Sequence, residues 1–485
     1  MAEARPPDRR ARESGRLSRF FSPQPNVPGK GIVASYGAGF WGLVIAIGVL
    51  TGLGGAALMA ILSGIEHLGW SYHAGTFLNG VEHTSAGHRV LVLACAGVLA
   101  GAGALWLRRL RGFGGAEVSE AVWLEDGRMS LGPSLGRGVL SIVIVALGAS
   151  LGREAAPQLT GAALASRLSE KLRIPSWQRR LLVACGAGAG MAAVYNVPLG
   201  GALFALEVLL GTVTLPLVLP ALATSVIATA VAWIYLPLGP TYAIPSYGVS
   251  ASQLAWAAIV GPLAGVAAVA WVRLVATAHR LRPAGWGRLL APIVVLTALG
   301  AIAIAYPELL GNGKDTVQLA VTGQLAIGSL AVLVVLKPLV TAACLGSGAT
   351  GGLFTPTLTY GVLFGGVLGH LWSLLWPGAP AGSYALIGGG AVLAASMQGP
   401  VAAIVLTLEL AHHAETLMVP LLLAVTSATV VARRLGAPSI YSARLGERAR
   451  RAEDPVPIRL PESQDHDSAE HGRVEEPAAR RGTPQ

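Results

Sequence analysis

The sequence predicts an all-α polytopic membrane protein, folded as an inverted repeat with discontinuous, half-spanning helices. Three observations predict it. Of 485 residues, 53% are hydrophobic and only 12% charged, and the mean hydropathy is +0.60; such a chain cannot cover soluble domains with a charged surface. Several apolar stretches reach about 20 residues, the length of one helical crossing. Two pairs of segments broken by Gly and Pro recur in the same order in the two halves, as broken helices do around a site at the bilayer midplane.

Taken in order, residues 1–34 form a tail carrying Arg5, Arg9, Arg10, Arg12, Arg16 and Arg19, expected to be disordered. It lacks the short apolar core of a signal peptide. The transmembrane domain is expected over 35–446, with repeats at roughly 35–236 and 250–446. Crossings are expected at Trp41 to Ala60, Val90 to Leu107, Leu217 to Leu236, Leu254 to Ala276, Leu289 to Tyr306, Ile327 to Leu345 and Leu417 to Val431. Leu151 to Leu164, Pro198 to Leu210, Gly351 to Leu368 and Pro400 to Leu410 are shorter and read as half-spanning helices. Residues 447–485 are polar, expected to be disordered, and show no second domain.

The net charge of +10 sits mainly at the two ends and in short connections, so it reads as topology and not as a nucleic-acid surface. By the positive-inside rule both termini are expected in the cytoplasm, the number of crossings is even, and the chain is expected in the cell membrane. The 63 glycines suit closely packed membrane helices. Cys95, Cys185 and Cys344 lie far apart in apolar runs and read as packing residues.

The repeat is visible at Gly186 to Pro198 against Gly388 to Pro400, where each proline starts a helix that ends on a lone carboxylate, Glu207 or Glu409. Upstream, Gly152-Arg153-Glu154-Ala155-Ala156-Pro157 matches Gly351-Gly352-Leu353-Phe354-Thr355-Pro356. Either pair alone could be chance in Gly/Ala-rich sequence; two pairs in order argue for duplication.

Both upstream loops lead into helices, so each presents free backbone N–H groups and the positive end of a helix dipole. Two such ends converging at membrane depth favour an anion, either inorganic or a substrate carboxylate. Glu154 has two readings: a dipole partner of its own helix, or a carboxylate that mimics the anion, competes with it and is released by protonation. Tyr441 is either an interfacial aromatic or a hydroxyl donor to the anion. His412 and His413 have no metal-ligand spacing and read as loop residues, and no metal site is expected.

These residues resemble the CLC family of chloride channels and proton-coupled chloride antiporters. Gly152-Arg153-Glu154 resembles its GRE loop, Gly351 to Pro356 its GxFxP loop, Tyr195-Asn196-Val197-Pro198-Leu199 its (F/Y)NxPLxG helix start, and Pro438 to Leu445 its last helix with the central tyrosine. The resemblance implies a homodimer in which each subunit has its own anion pathway. It implies Glu154 as the gate, with anion binding by Gly152, Arg153, Glu154, Ala155, Leu353, Phe354, Thr355 and Tyr441. The sequence departs from the family's pattern twice. Phe113, in Gly112 to Ala116, falls where relatives carry a serine hydroxyl, which bears on anion selectivity. Val208 falls where antiporters carry an inner proton glutamate.

The expected function is transport of chloride or a similar small anion through a lipid bilayer, by passive, channel-like conduction. A proton-coupled chloride antiporter is the alternative, and a carrier for another anion a more distant one. Nothing resembles an enzyme's nucleophile and base, a phosphate loop or a metal set, so no enzyme activity or cofactor is expected, nor the cytoplasmic CBS pair of many relatives. Candidate dimer contacts are Leu203, Leu206 and Leu210 with Ile404 and Leu408, unless that face packs within the subunit.

Overall fold

The computed structural model describes residues 36–109, 117–411 and 413–445. Both expected tails, His412 and Phe113 therefore lie outside the described residues. The first half of the chain holds α1 (Ala38–Trp70), α2 (Phe77–Glu82), α3 (Ala86–Leu107), α4 (Val118–Leu124) and α5 (Leu131–Ala146). It continues through α6 (Ala155–Lys171), α7 (Ser176–Tyr195), α8 (Pro198–Leu203, extended by a π-helical turn, Phe204–Leu209) and α9 (Leu215–Ala232). The second holds α10 (Ala251–Arg280), α11 (Gly287–Ile302), α12 (Lys314–Val321) and α13 (Ile327–Ser347), then α14 (Phe354–Leu375), α15 (Ala381–Met397), α16 (Pro400–Leu410) and α17 (Met418–Arg434). A 3-10 turn, Ser442–Arg444, follows. Among the described residues there is no strand, only an isolated antiparallel bridge between Gly152 and Gly352.

Among the described residues seven helical segments are long and apolar enough to cross a bilayer: α1, α3, α9, α10, α13, α14 and the segment Glu415–Arg434 that contains α17. Two expectations change. The stretch Leu289 to Tyr306 forms only the 16-residue α11, because the chain leaves the helix after Ile302 and enters a 3-10 turn at Pro307. Conversely, α14 is not a half-helix ending at Leu368 but runs 22 residues to Leu375. His370 Nδ1 and Ser373 Oγ, the polar interruptions of that run, lie 2.9 and 2.8 Å from the carbonyls of Gly366 and Gly369, so they are satisfied inside the helix and do not end it.

Small residues set the closest approaches. Gly161 on α6 and Gly186 on α7 face each other's carbonyls, and in the second half Gly365 on α14 and Gly388 on α15 face each other's Cα atoms. A Cβ at any of the four would collide with backbone, the reason small residues concentrate where membrane helices meet.

The half-helices start in the same way in both halves of the chain. Helix α7 ends at Asn196 (φ 57°) and α15 at Gln398 (φ 59°), each in the left-handed conformation that stops a helix. Two residues later Pro198 and Pro400 open α8 and α16, where the absence of an N–H costs nothing. The proposed dimer face needs correction. Leu206 and Leu210 are buried, each 1% exposed, because α8 and its π turn pack against α7, α9 and α16, leaving only Leu203, Ile404 and Leu408 partly exposed. Cys185 and Cys344 are buried, but Cys95 is exposed on α3, so it is not a core packing residue.

Candidate functional site

The two matched loops meet at the Gly152 and Gly352 bridge, where each N–H donates to the other residue's carbonyl at 2.7 Å. Helices α6 and α14 start immediately after their loops, so both positive helix ends arrive at one place. A Cβ on either glycine would run into the Glu154 carboxyl group as it stands, so the two glycines leave that group its place.

Glu154 is 2% exposed and stands at the N-cap of α6, yet its side chain makes no capping bond there. It reaches across to the other repeat. Phe354 N–H donates to Oε1 at 2.6 Å, while the Tyr195 and Thr355 hydroxyls donate to Oε2 at 3.2 and 3.3 Å. Those two hydroxyls are themselves 2.6 Å apart. A carboxylate thus sits on the first free amide of α14, with charge-assisted bonds that are stronger than neutral ones. The Arg153 guanidinium lies 5.1 Å from the centre of the Tyr195 ring, a cation over an aromatic face that helps position the tyrosine.

Two cavities lie on either side of Glu154 in the chain. Arg153 lines one of about 280 Å³, together with Glu66, Tyr72, Lys314 and Asp315. Here burial and the Arg153 charge hold the Lys314 ammonium below its usual range, opposed by Asp315 and Glu66. Ala155 lines the other, of about 100 Å³, together with Gln158, Gly351, Tyr441 and Arg444. Tyr441 is edge-on to Phe204, with ring centres 5.5 Å apart, and its hydroxyl finds only the Met397 sulfur, at 3.9 Å. Arg444 forms an ion pair with Glu117 at the rim of the same cavity.

The lone carboxylates of the second motif pair exchange partners across the repeats. Glu207 accepts from Val401 N–H and Ala402 N–H at 3.2 and 2.6 Å, at the start of α16. Glu409 accepts from Leu199 N–H and Gly200 N–H at 3.1 and 2.6 Å, at the start of α8. Each satisfies N–H groups that its partner half-helix leaves unbonded. Val208 is 5% exposed and lies against Gly399.

Residues 92–433 match the family described as "Voltage gated chloride channel". The chain belongs to that family. A ClcB-like protein of Ralstonia nicotianae is 35% identical over 439 residues, covering 86% of this chain and 99% of the relative. A protein of Citrobacter koseri named voltage-gated ClC-type chloride channel ClcB is 31% identical over 411 residues, covering 81% and 96%. Among solved structures, a slow cyanobacterial Cl-/H+ antiporter superposes with a TM-score of 0.72 at 22% identity, covering 85% of this chain and 97% of its own. A CLC-type fluoride/proton antiporter superposes with a TM-score of 0.64 at 20% identity, covering 84% and 97%. The all-helical CLC architecture, with its inverted repeat and broken helices, is the fold of this chain.

Within that fold the loops bearing Gly152, Arg153, Glu154 and Ala155 and those bearing Leu353, Phe354 and Thr355 come together, and Tyr441 lines the smaller cavity beside them. Sequence reasoning missed Tyr195 as a direct partner of Glu154, although it opens the motif that ends at Leu199. It also missed Gln158 and Glu117. Gln158 was legible as the residue one helical turn after Glu154, on the same face.

Proposed function

We propose that the chain carries chloride or a similar small monovalent anion across a membrane, with Glu154 as the gate. The observation that carries this reading is the Glu154 carboxylate bonded to Phe354 N–H at 2.6 Å, an anion already seated on the α14 amide. Gly152, Arg153, Ala155, Leu353 and Thr355 contribute the rest of the loop cradle, and Tyr441 faces the next position inward. A mobile anion must displace the carboxylate, and protonation weakens the carboxylate's hold on the amide. Transport is passive in this reading. Val208 can neither accept nor donate a proton, and Glu207 is engaged by two amides of α16. The subunits pair as a homodimer in the cell membrane, with both termini in the cytoplasm.

One feature favours the antiporter alternative. The Tyr195 and Thr355 hydroxyls stand 2.6 Å apart and both reach Glu154, so either can turn its single proton from the carboxylate to the other hydroxyl and complete a short chain for handing on a proton. The chain reconstituted in liposomes, with chloride and pH recorded together, tests both readings. Wild-type chloride flux should rise as pH falls, and Glu154→Gln should raise flux and flatten that dependence. A Glu154→Gln protein that keeps the wild-type pH profile would sink the gate.

A further inference from the structure

The smaller cavity collects polar atoms that have no hydrogen-bond partner among the described residues. They are Gln158 Nε2, the hydroxyls of Ser119, Ser141 and Thr350, and Arg444 Nε, and all five residues line it beside Tyr441. They converge from α4, α5, α6, the second loop and the turn after α17, whereas the larger cavity holds two such atoms, Arg153 Nε and Glu308 Oε2. Leaving a buried donor unbonded costs about 1–3 kcal/mol, so a cluster of them marks a site that a ligand completes.

Gln158 is the best placed of the group. It is 6% exposed and lies four residues after Glu154, so both side chains occupy one face of α6. Helical side chains tilt toward the N-terminus of their helix, which directs the Gln158 amide toward the Gly152 and Gly352 bridge. Among the described residues that line the cavity the one carboxylate, Glu117, pairs with Arg444, while Arg137 and Arg282 add positive charge. A volume of about 100 Å³ has room for a small anion together with water.

We infer that the Gln158 side-chain amide donates a hydrogen bond to a monovalent inorganic anion in this cavity, and so sets the affinity of the inner anion position. This rests on the anion-transport reading above. An apolar side chain at this position would leave the anion short of a donor, whereas a carboxylate would repel it.

Calorimetric titration of the full-length protein in detergent, with chloride added from chloride-free buffer, tests the assignment. Gln158→Leu and Gln158→Met keep the volume and remove the donor, and each should weaken chloride binding about tenfold. Ser169→Ala removes another unpartnered buried hydroxyl of α6 that does not line the cavity, and should bind chloride as wild type does. Gln158→Glu should lose chloride binding near neutral pH and regain it on acidification of the same sample, a reversible response that a misfolded variant cannot give. Chloride binding by Gln158→Leu and Gln158→Met as tight as wild type, or by Gln158→Glu at neutral pH, would overturn the role of Gln158 while leaving anion transport standing. A wild-type protein that shows neither chloride binding nor chloride flux would remove the transport reading and this inference together.

Discussion

Glu154 is held by three donors from two different elements, and each can be removed singly. Tyr195→Phe deletes one hydroxyl and leaves the ring under Arg153 in place. A hydrogen bond to a charged group contributes about 1.5–3 kcal/mol, and 1.4 kcal/mol is a factor of ten. If departure of the carboxylate limits transport, chloride flux in Tyr195→Phe should rise by roughly tenfold; an unchanged flux in a protein of wild-type melting temperature would show that Tyr195 does not restrain the gate. Glu154 itself could be found in the sequence because its Gly and Pro neighbours repeat 200 residues later. Its partners could not, since Phe354 stands 200 positions away and Tyr195 on a different helix, 41 positions away. Glu207 and Glu409 show the same limit. Their equal spacing after a proline was legible, but that each binds the other's half-helix follows only from the crossing of α8 and α16.

At the level of elements, that exchange makes a stability prediction. Glu409→Ala removes two charge-assisted bonds and strips the start of α8 of its acceptors. It should destabilise the protein by about 3 kcal/mol, read as a fall in thermal unfolding temperature in detergent. Glu170→Ala, which breaks an exposed pair with Arg167 on α6, should change little. Equal effects would deny Glu409 its structural role. The start of α12 carries a pH prediction. Because burial and Arg153 lower the Lys314 pKa below 10.5, its ammonium loses its proton at a lower pH than a free lysine would. The charged form is complete below that lowered value and lost as pH rises through it, and with it goes attraction for an anion in the cavity shared with Arg153, Asp315 and Glu66. Chloride flux at low ionic strength should therefore decline on the alkaline side before 10.5 is reached. Lys314→Arg, whose charge persists, should abolish that part of the decline. A decline that survives in Lys314→Arg would assign it to another group.

For the whole molecule the open question is whether anion and proton movements are tied together, and here the two repeats make unequal contributions. The fold alone does not decide it, because solved relatives with this architecture at 20–22% identity are antiporters, while sequence relatives near 30% identity are named as channels. Stoichiometric exchange requires a proton to reach Glu154 by a route separate from the anion's, and crossing apolar protein demands ionisable groups or a water chain. On the face of α8 where such a relay would stand, Val208 packs against Gly399, and the adjacent carboxylate Glu207 is fixed by two amides of α16. Releasing Glu207 to carry a proton would unbond the start of α16. That leaves the hydroxyls of Tyr195 and Thr355, which reach Glu154 but have no described ionisable group bonded behind them. An imposed chloride gradient in sealed liposomes should thus move chloride without driving protons against their own gradient. Val208→Glu should not by itself create coupling unless water connects it to Tyr195. Sustained uphill proton movement in wild type that stops in Glu154→Ala would instead make the protein an antiporter, with the Tyr195 and Thr355 hydroxyls as the first place to look for its proton path.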